Sequence, residues 1–174
     1  MILDAPTTRF ELGYGTIAVP RRTGMKMREI ILESADNLYV RKWAERMVEN
    51  VTDRDEWGEA NAIFTFLQNH TRYAKDPRGT EFIQTPPYVL KHIELEMKPS
   101  LDCDDYTVIS LSLLRSLGYP TIIRITGYKS DRKFVHVYGM VKINGRWVAF
   151  DPVRKDQDLG WEAPYKKRVM DIRI

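Results

Sequence analysis

The sequence predicts an α+β fold in which helices occupy the first two thirds of the chain and antiparallel strands follow. Apolar residues recur at helical spacing from about Met25 to Leu117. Short apolar runs of strand type begin at Ile122, and Asn144-Gly145 separates two of them. Helices followed by a cluster of strands are typical of α+β domains, in which helices pack on an antiparallel sheet.

The N-terminal third predicts an extended segment and then one or two helices. Residues 9–19 alternate apolar and other residues around two glycines, which favours a strand pair or an extended arm. From about residue 25 to residue 50 the apolar positions recur mostly at helical spacing, with an interruption predicted near Asp36-Asn37.

The middle of the chain predicts a further helix, a loop and a short helix. Asp53 or Asp55 can cap a helix that runs to about Arg72. Residues 74–87 are rich in proline and lack a periodic pattern, so we expect a long loop before a short helix from Tyr88.

A helix bounded by both start and stop signals follows Ser100. Asp102 can cap its N-terminus, and Gly118 with Pro120 ends it. Cys103 falls in its first turn, where unpaired backbone N–H groups and the positive end of the helix dipole favour a thiolate.

The two residues after Cys103 work partly against a thiolate. Asp104 and Asp105 suit a helix N-terminus, but their negative charges oppose a neighbouring sulfur anion. A reactive Cys103 therefore requires a cationic partner from elsewhere in the fold.

The Asn144-Gly145 pair predicts a two-residue hairpin turn, which fixes the register of the flanking strands. In that register Tyr138 lies opposite Asp151. His136 lies two residues from Tyr138 on the same face, so His136 and Asp151 are diagonal neighbours roughly 7–8 Å apart at the backbone. Their side chains can therefore meet.

The other face of this hairpin is almost wholly apolar and suits packing on helices. It comprises Val135, Val137, Val141, Val148 and Phe150. On the polar face, an imidazole oriented by a carboxylate can take a thiol proton, and the resulting thiolate attacks an acyl carbon. Cys103, His136 and Asp151 are the candidates for these roles.

Each of these residues also has a structural explanation when taken alone. A single cysteine in a helix is usually a small buried hydrophobe, and a single strand histidine is usually a packed residue. An aspartate before a proline, as in Asp151-Pro152, is usually a turn residue. The catalytic interpretation depends on the three occurring together.

Other acidic and histidine residues give no metal site. Asp102, Asp104 and Asp105 could bind a hard cation, but the segment lacks the glycine and distal glutamate of a calcium loop, and helix capping explains them. His70 and His92 have no thiol or histidine partner at zinc-like spacing. We expect no metal and no cofactor.

The composition excludes several protein classes. The net charge of +3 from 27 basic and 24 acidic residues gives no support for nucleic-acid binding. The single cysteine cannot form an internal disulfide, and no stretch approaches the roughly 20 apolar residues that span a bilayer. We expect one soluble, unsecreted domain over residues 1–174.

Three motifs in order resemble the core of the transglutaminase-like superfamily. They are Leu101-Asp102-Cys103-Asp104-Asp105, Phe134-Val135-His136-Val137-Tyr138 and Trp147-Val148-Ala149-Phe150-Asp151-Pro152. The resemblance covers about residues 55–153, which leaves 1–54 as an N-terminal extension, and it is strongest to small prokaryotic and bacteriophage members. It implies a papain-like fold, with the cysteine helix packed on the sheet that carries the histidine and aspartate.

By matched position, the resemblance implies that Cys103 is the nucleophile, His136 the general base and acid, and Asp151 the group that orients His136. The Cys103 backbone N–H would form part of an oxyanion hole. Gln84 is a candidate second donor by analogy with papain-like glutamines, or it anchors its loop. Leu101 stands where many members have glycine before the Asp-Cys pair, so we expect a slightly different backbone approach to Cys103.

The first functional hypothesis is a cysteine-dependent amide hydrolase, a peptidase acting on a peptide or protein. A second uses the same acyl-enzyme but passes the acyl group to a lysine amine, as a cross-linking transglutaminase does. A third, from another class, is an inert binding or phage morphogenesis module. The resemblance implies the cytoplasm of a prokaryote or of a phage-infected bacterium.

Overall fold

The computed structural model describes residues 8–10, 18–76, 81–129 and 133–174. Within these ranges the helices are α1 (Ala18–Ala35), α2 (Leu38–Val48), α3 (Glu56–His70), α4 (Pro86–Glu94) and α5 (Cys103–Ser116). The strands are β1 (Thr8–Phe10), β2 (Arg72–Tyr73), β3 (Glu81–Ile83), β4 (Ser100–Leu101), β5 (Thr121–Gly127), β6 (His136–Ile143), β7 (Arg146–Phe150) and β8 (Arg168–Arg173). The longer strands follow the helices, so the predicted α+β class is confirmed.

Local capping signals explain where several helices begin. The break between α1 and α2 lies where it was predicted, and the Asn37 side chain there accepts a hydrogen bond from the Tyr39 N–H at 2.8 Å. Asp55 caps α3 by accepting from the Gly58 N–H at 2.9 Å. Helix α4 begins at Pro86, two residues before the predicted start, because a proline in the first turn forfeits no helical hydrogen bond.

The main sheet has four antiparallel strands in the order β7-β6-β5-β8. In the β6–β7 hairpin Ile143 pairs with Arg146 and Gly139 with Phe150, which is the register that the Asn-Gly turn predicts. Strand β8 was not predicted. It pairs along the length of β5, on the side away from β6.

One face of the sheet packs against α1 and α5 to form the main core. Its buried residues include Ile123, Ile125, Val137, Val141, Phe150 and Ile172. Gly139 lets α5 approach closely, since a Cβ atom there would lie 2.5 Å from Leu111 Cδ2. The prediction that Val135 joins this face was wrong, because Val135 precedes β6 and is 61% exposed.

Two shorter pairs of strands lie outside the main sheet. Strand β1 pairs antiparallel with β3, and β2 pairs parallel with β4, which brings Tyr73 opposite Leu101 just before α5. Of the arm predicted over residues 9–19, residues 11–17 lie outside the described ranges, as do residues 77–80 of the predicted loop. No helix in the described ranges is long and apolar enough to cross a membrane.

Candidate active site

Cys103 is the first residue of α5, and its neighbours cap the helix. The Asp102 carboxylate accepts hydrogen bonds from the N–H groups of Asp104 at 2.9 Å and Asp105 at 3.1 Å. The Asp105 carboxylate in turn accepts from the Asp102 N–H at 3.4 Å, which completes a capping box. The helix-capping interpretation of Asp102 and Asp105 is therefore confirmed.

Gln84 is tied to this cap by three hydrogen bonds. Its backbone N–H donates to Asp105 at 2.6 Å, and its side-chain amide donates to Asp105 at 2.8 Å and to the Ser100 carbonyl at 2.8 Å. These bonds use both amide hydrogens of Gln84. The structure therefore describes Gln84 as a loop anchor and gives its oxyanion role no support.

The two capping carboxyls lie in an environment that disfavours negative charge. Burial, reinforced by the charge of Asp102, raises the pKa of Asp105 to about 7. Burial also raises the pKa of Asp102 to about 6. The N-terminus of α5 therefore carries less negative charge near neutral pH than its three aspartates would in water.

His136 and Asp151 form the most direct contact at the site. His136 Nε2 lies 2.7 Å from Asp151 Oδ2, with 18% of the histidine and 7% of the aspartate side chain exposed. Because a carboxylate only accepts hydrogen bonds, Nε2 carries the proton and Nδ1 is left with its lone pair. The contact confirms the prediction that these side chains meet across the hairpin.

The second oxygen of the Asp151 carboxylate makes no competing hydrogen bond within the described part of the chain. Asp151 Oδ1 is buried and has no hydrogen-bond partner among the residues that the structure describes. Within that part of the chain, the hydrogen bonding of the Asp151 side chain is therefore directed at His136. Its place immediately after β7 explains why it reaches the first residue of β6.

The Cys103 sulfur lies against the start of β6. The backbone N–H of Val137, the residue after His136, faces the sulfur and acts to lower the pKa of the thiol. Burial, followed by the charges of Asp104 and Asp102, outweighs this and raises the pKa of Cys103 well above its ordinary value. The thiol also donates to Asp104 Oδ1 at 3.5 Å.

This raised pKa differs from the expectation based on the helix N-terminus. The helix end was expected to favour the thiolate, but burial of the sulfur and the adjacent carboxylates have the larger effect. The predicted need for a cationic partner therefore holds more strongly than the sequence suggested. An imidazolium at the start of β6 is the natural source of that charge.

Two tyrosines that the sequence did not single out lie near the thiol. Burial, followed by the charge of Cys103, raises the pKa of Tyr73 to about 12. Burial also raises the pKa of Tyr128, with smaller contributions from Asp151 and Cys103. Tyr73 is 41% exposed, so it lies where a substrate could contact it. Only the pairing of β2 with β4 could have revealed its position.

Among the residues that the structure describes, the remaining histidines and carboxylates do not form a metal site. Within the described ranges no three His, Cys, Asp or Glu side chains converge as ligands. His70 and His92 each direct Nδ1 to a backbone carbonyl four residues earlier, at Phe66 and Tyr88. Since a carbonyl only accepts, both rings carry the proton on Nδ1, the opposite tautomer to His136.

Comparison with known proteins places this arrangement in a family context. The sequence profile of the Transglutaminase-like superfamily matches residues 41–152. No curated protein sequence matches the chain.

Among solved structures, a "putative protease" from Parabacteroides distasonis has a TM-score of 0.58 at 11% identity, over 74% of this chain and 26% of that one. A "putative cysteine protease" from Cytophaga hutchinsonii has a TM-score of 0.48 at 14% identity, over 78% of this chain and 51% of that one. A structure named "TGase" has a TM-score of 0.40 at 12% identity, over 88% of this chain and 37% of that one. At these identities the first structure shows a shared fold, and this chain spans about a quarter of that protein's length.

Proposed function

The chain belongs to the transglutaminase-like superfamily, and on that premise we propose that it is a cysteine-dependent acyl-transfer enzyme that hydrolyses amide bonds in peptides. Cys103 is the nucleophile, His136 the general base and acid, and Asp151 the residue that orients the imidazole. Water is the acyl acceptor.

The contact between His136 and Asp151 carries this proposal. At 2.7 Å the carboxylate fixes the ring with Nε2–H turned toward Asp151, which leaves the Nδ1 lone pair to act as the base. The sulfur lies beside the backbone of the residue that follows His136. A base held in one tautomer next to a thiol is the arrangement that acyl transfer by cysteine requires.

The first half of the reaction forms a thioester. His136 Nδ1 takes the Cys103 proton as the sulfur attacks the carbonyl carbon of the amide. The Cys103 backbone N–H, at the N-terminus of α5, would stabilise the oxygen that becomes negative. The carbon–nitrogen bond then breaks, and the amine leaves with the proton held by His136.

The second half releases the acyl group. His136 removes a proton from water, whose oxygen adds to the thioester carbon. The carbon–sulfur bond breaks, the acid departs, and the proton returns to Cys103. Asp151 stabilises the imidazolium that forms in each half, because its carboxylate directly accepts the Nε2–H.

Two considerations support hydrolysis over other fates of the acyl group. The family is built on acyl-enzyme chemistry, and the Parabacteroides distasonis protein that shares the fold is named a "putative protease". Tyr73, which lies near the thiol, is 41% exposed, so we infer that water approaches the thioester from that side.

The nucleophile is tested by alkylation with iodoacetamide at pH 6.5. An ordinary thiol with a pKa near 8.5 is ionised to only about 1% at that pH, and Cys103, whose pKa is raised, would be ionised less if it had no cationic partner. We expect rapid alkylation of the wild-type protein and a rate about 100-fold lower in His136→Ala, since the imidazolium is lost. His92→Ala is the matched control and should react like wild type. Equal rates in all three proteins would exclude a Cys103–His136 pair.

The fate of the acyl group is tested with a peptide library, incubated with and without a fluorescent primary amine. Shortened peptides that form in the absence of the amine support hydrolysis. Peptides that keep their length and acquire the fluorophore would instead identify a cross-linking transferase. If neither product forms and Cys103 is alkylated slowly, the protein is the inert binding module. Cys103→Ala is the control for contaminating peptidases.

A further inference from the structure

Tyr138 lies next to the catalytic histidine on the sheet and is held in place by a charged cluster. The two side chains occupy alternate positions of β6, and their ring centroids are 5.6 Å apart at an interplanar angle of 28°. Tyr138 is 3% exposed, so its ring forms a fixed wall beside the His136 ring.

The hydroxyl of this tyrosine is anchored at the far end of the ring. It donates to Glu162 Oε1 at 2.5 Å. The same oxygen accepts from Arg124 Nη1 at 3.0 Å and lies 3.0 Å from Lys166 Nζ. Burial alone would raise the pKa of Glu162, but these three donors together lower it. Glu162 is therefore an ionised anchor for Tyr138.

The anchor is fixed to the sheet itself. Arg124 lies opposite Tyr138 in the β5–β6 register and opposite Asp171 in the β5–β8 register. Its guanidinium makes two further bonds to Asp171, each of 2.8 Å. Asp171, Arg124 and Tyr138 thus form a row across β8, β5 and β6 that charged hydrogen bonds hold together. This row lies on the face of the sheet that carries His136.

We propose that Tyr138 and Glu162 are positioning residues for His136: the anchored Tyr138 ring holds the imidazole in the rotamer that points Nε2 at Asp151. This inference rests on the proposed function, because a fixed imidazole matters most where it transfers a proton. Neither residue touches a reacting atom. Both act through the histidine, whose ring would otherwise turn about its side-chain bonds.

The position of the charge network argues for this role over simple sheet stability. A buried tyrosine needs one acceptor for its hydroxyl, and a neutral carbonyl would suffice. Here the acceptor is a carboxylate shared with two cations, which restricts the oxygen in space. The hydrogen bonds to Glu162 therefore restrain the Tyr138 ring, which stacks against His136.

The test compares Glu162→Ala, Glu162→Gln and Tyr138→Phe with wild type. Glu162→Ala removes the anchor, whereas the amide oxygen of Glu162→Gln can still accept the tyrosine hydroxyl. Tyr39→Phe is the matched control, because Tyr39 on α2 donates to Glu94 on α4 at 2.9 Å and Glu94 also pairs with Lys91, in a cluster that includes no residue of the candidate site. Thermal denaturation first establishes that each variant folds.

The readout that does not depend on activity is the tautomer of His136, observed through the ring ¹⁵N shifts of neutral histidine in proteins that all carry Cys103→Ala, so that no thiol proton charges the ring. Wild type should show one Nε2–H ring, whereas His70 and His92 serve as internal Nδ1–H references. Glu162→Ala should give averaged shifts for His136 alone. Glu162→Gln should keep the wild-type tautomer.

The kinetic readout is the rate of Cys103 alkylation and, with a peptide substrate, kcat and KM. We expect Glu162→Ala to lower the alkylation rate and kcat about tenfold, comparable to one charged hydrogen bond, with little change in KM. Tyr138→Phe should fall between wild type and Glu162→Ala.

Two outcomes separate this proposal from the proposed function. If folded Glu162→Ala and Tyr138→Phe both keep the wild-type tautomer and rate, the positioning role is wrong, whatever the enzyme does. If wild type has no peptidase activity but Glu162→Ala still loses the Nε2–H tautomer, the proposed function fails while the positioning role stands.

Discussion

Replacement of Asp151 by asparagine isolates the charge that the carboxylate contributes. The amide oxygen of Asp151→Asn can still accept the His136 Nε2–H, and the amide group has nearly the same size as the carboxylate. The new NH₂ replaces Oδ1, which is buried and has no partner among the described residues. The shape of the site is therefore kept, while the counter-charge to the imidazolium is lost.

The size of the effect follows from the geometry of this pair. His136 Nε2 and Asp151 Oδ2 are 2.7 Å apart and largely shielded from water. At a charge separation of about 4 Å and an effective dielectric constant of about 20, two unit charges attract by about 4 kcal/mol. Each 1.36 kcal/mol is tenfold in rate, so proton transfer from Cys103 should become about 1,000-fold less favourable.

The assay is the second-order rate constant for alkylation of Cys103 by iodoacetamide at pH 6.5, which needs no knowledge of the substrate. Asp156→Asn is the matched control, since Asp156 pairs with Arg154 at 2.8 Å but is 63% exposed. We expect the control to react like wild type and Asp151→Asn to react about 100-fold more slowly, since a loss this large removes the whole contribution of the imidazole and so equals that of His136→Ala. A rate for Asp151→Asn within twofold of the control would refute this account of Asp151.

Two further predictions concern stability. Because the pKa of Asp105 is raised to about 7, the folded protein holds a proton that the unfolded chain loses above its ordinary pKa of 3.8. The free energy of unfolding should therefore fall as pH rises from 4 to 8, by up to about 4 kcal/mol at roughly 1.4 kcal/mol per unit. Urea unfolding of Asp105→Asn should lack this contribution, and an unchanged pH dependence would contradict the burial argument. Gly139→Ala should lower the free energy of unfolding by about 1–3 kcal/mol, because its Cβ would meet the buried Leu111 side chain at 2.5 Å. An unaltered urea midpoint would contradict this, because it would show that α5 can move away from β6 at no cost.

The parts of the site that lie close in sequence were predictable from local rules. A two-residue turn leaves only one register for its strands, so the Asn144-Gly145 pair sufficed to bring His136 and Asp151 together. Likewise, the spacing of Asp102 and Asp105 around Cys103 predicts a helix cap, because the first N–H groups of a helix need acceptors.

The contacts between distant segments were not predictable in this way. Strand β8 adds to the edge of the sheet through pairing with β5, and no short turn links the two. The bond between Gln84 and Asp105 joins residues 21 positions apart, and the bond between Tyr138 and Glu162 joins residues 24 positions apart. Periodicity describes which face of an element is buried, but not which distant side chain meets it.

The electrostatics of Cys103 also required the tertiary structure. The sequence predicts two opposing effects on the pKa of Cys103, because the helix N-terminus favours the thiolate and the adjacent carboxylates oppose it. Which effect is larger depends on the burial of the sulfur and on the direction of the Asp104 carboxylate, and both require the tertiary structure. His136 gains importance for the same reason.

The central claim, that Cys103 forms an acyl-enzyme, is tested most directly with p-nitrophenyl acetate and mass spectrometry. We expect a burst of p-nitrophenol close to one equivalent per protein molecule, together with an acetyl group on the peptide that contains Cys103. Both should be absent from Cys103→Ala and strongly reduced in His136→Ala. A wild-type protein that releases p-nitrophenol without a burst and carries no acetyl group on Cys103 would contradict the account.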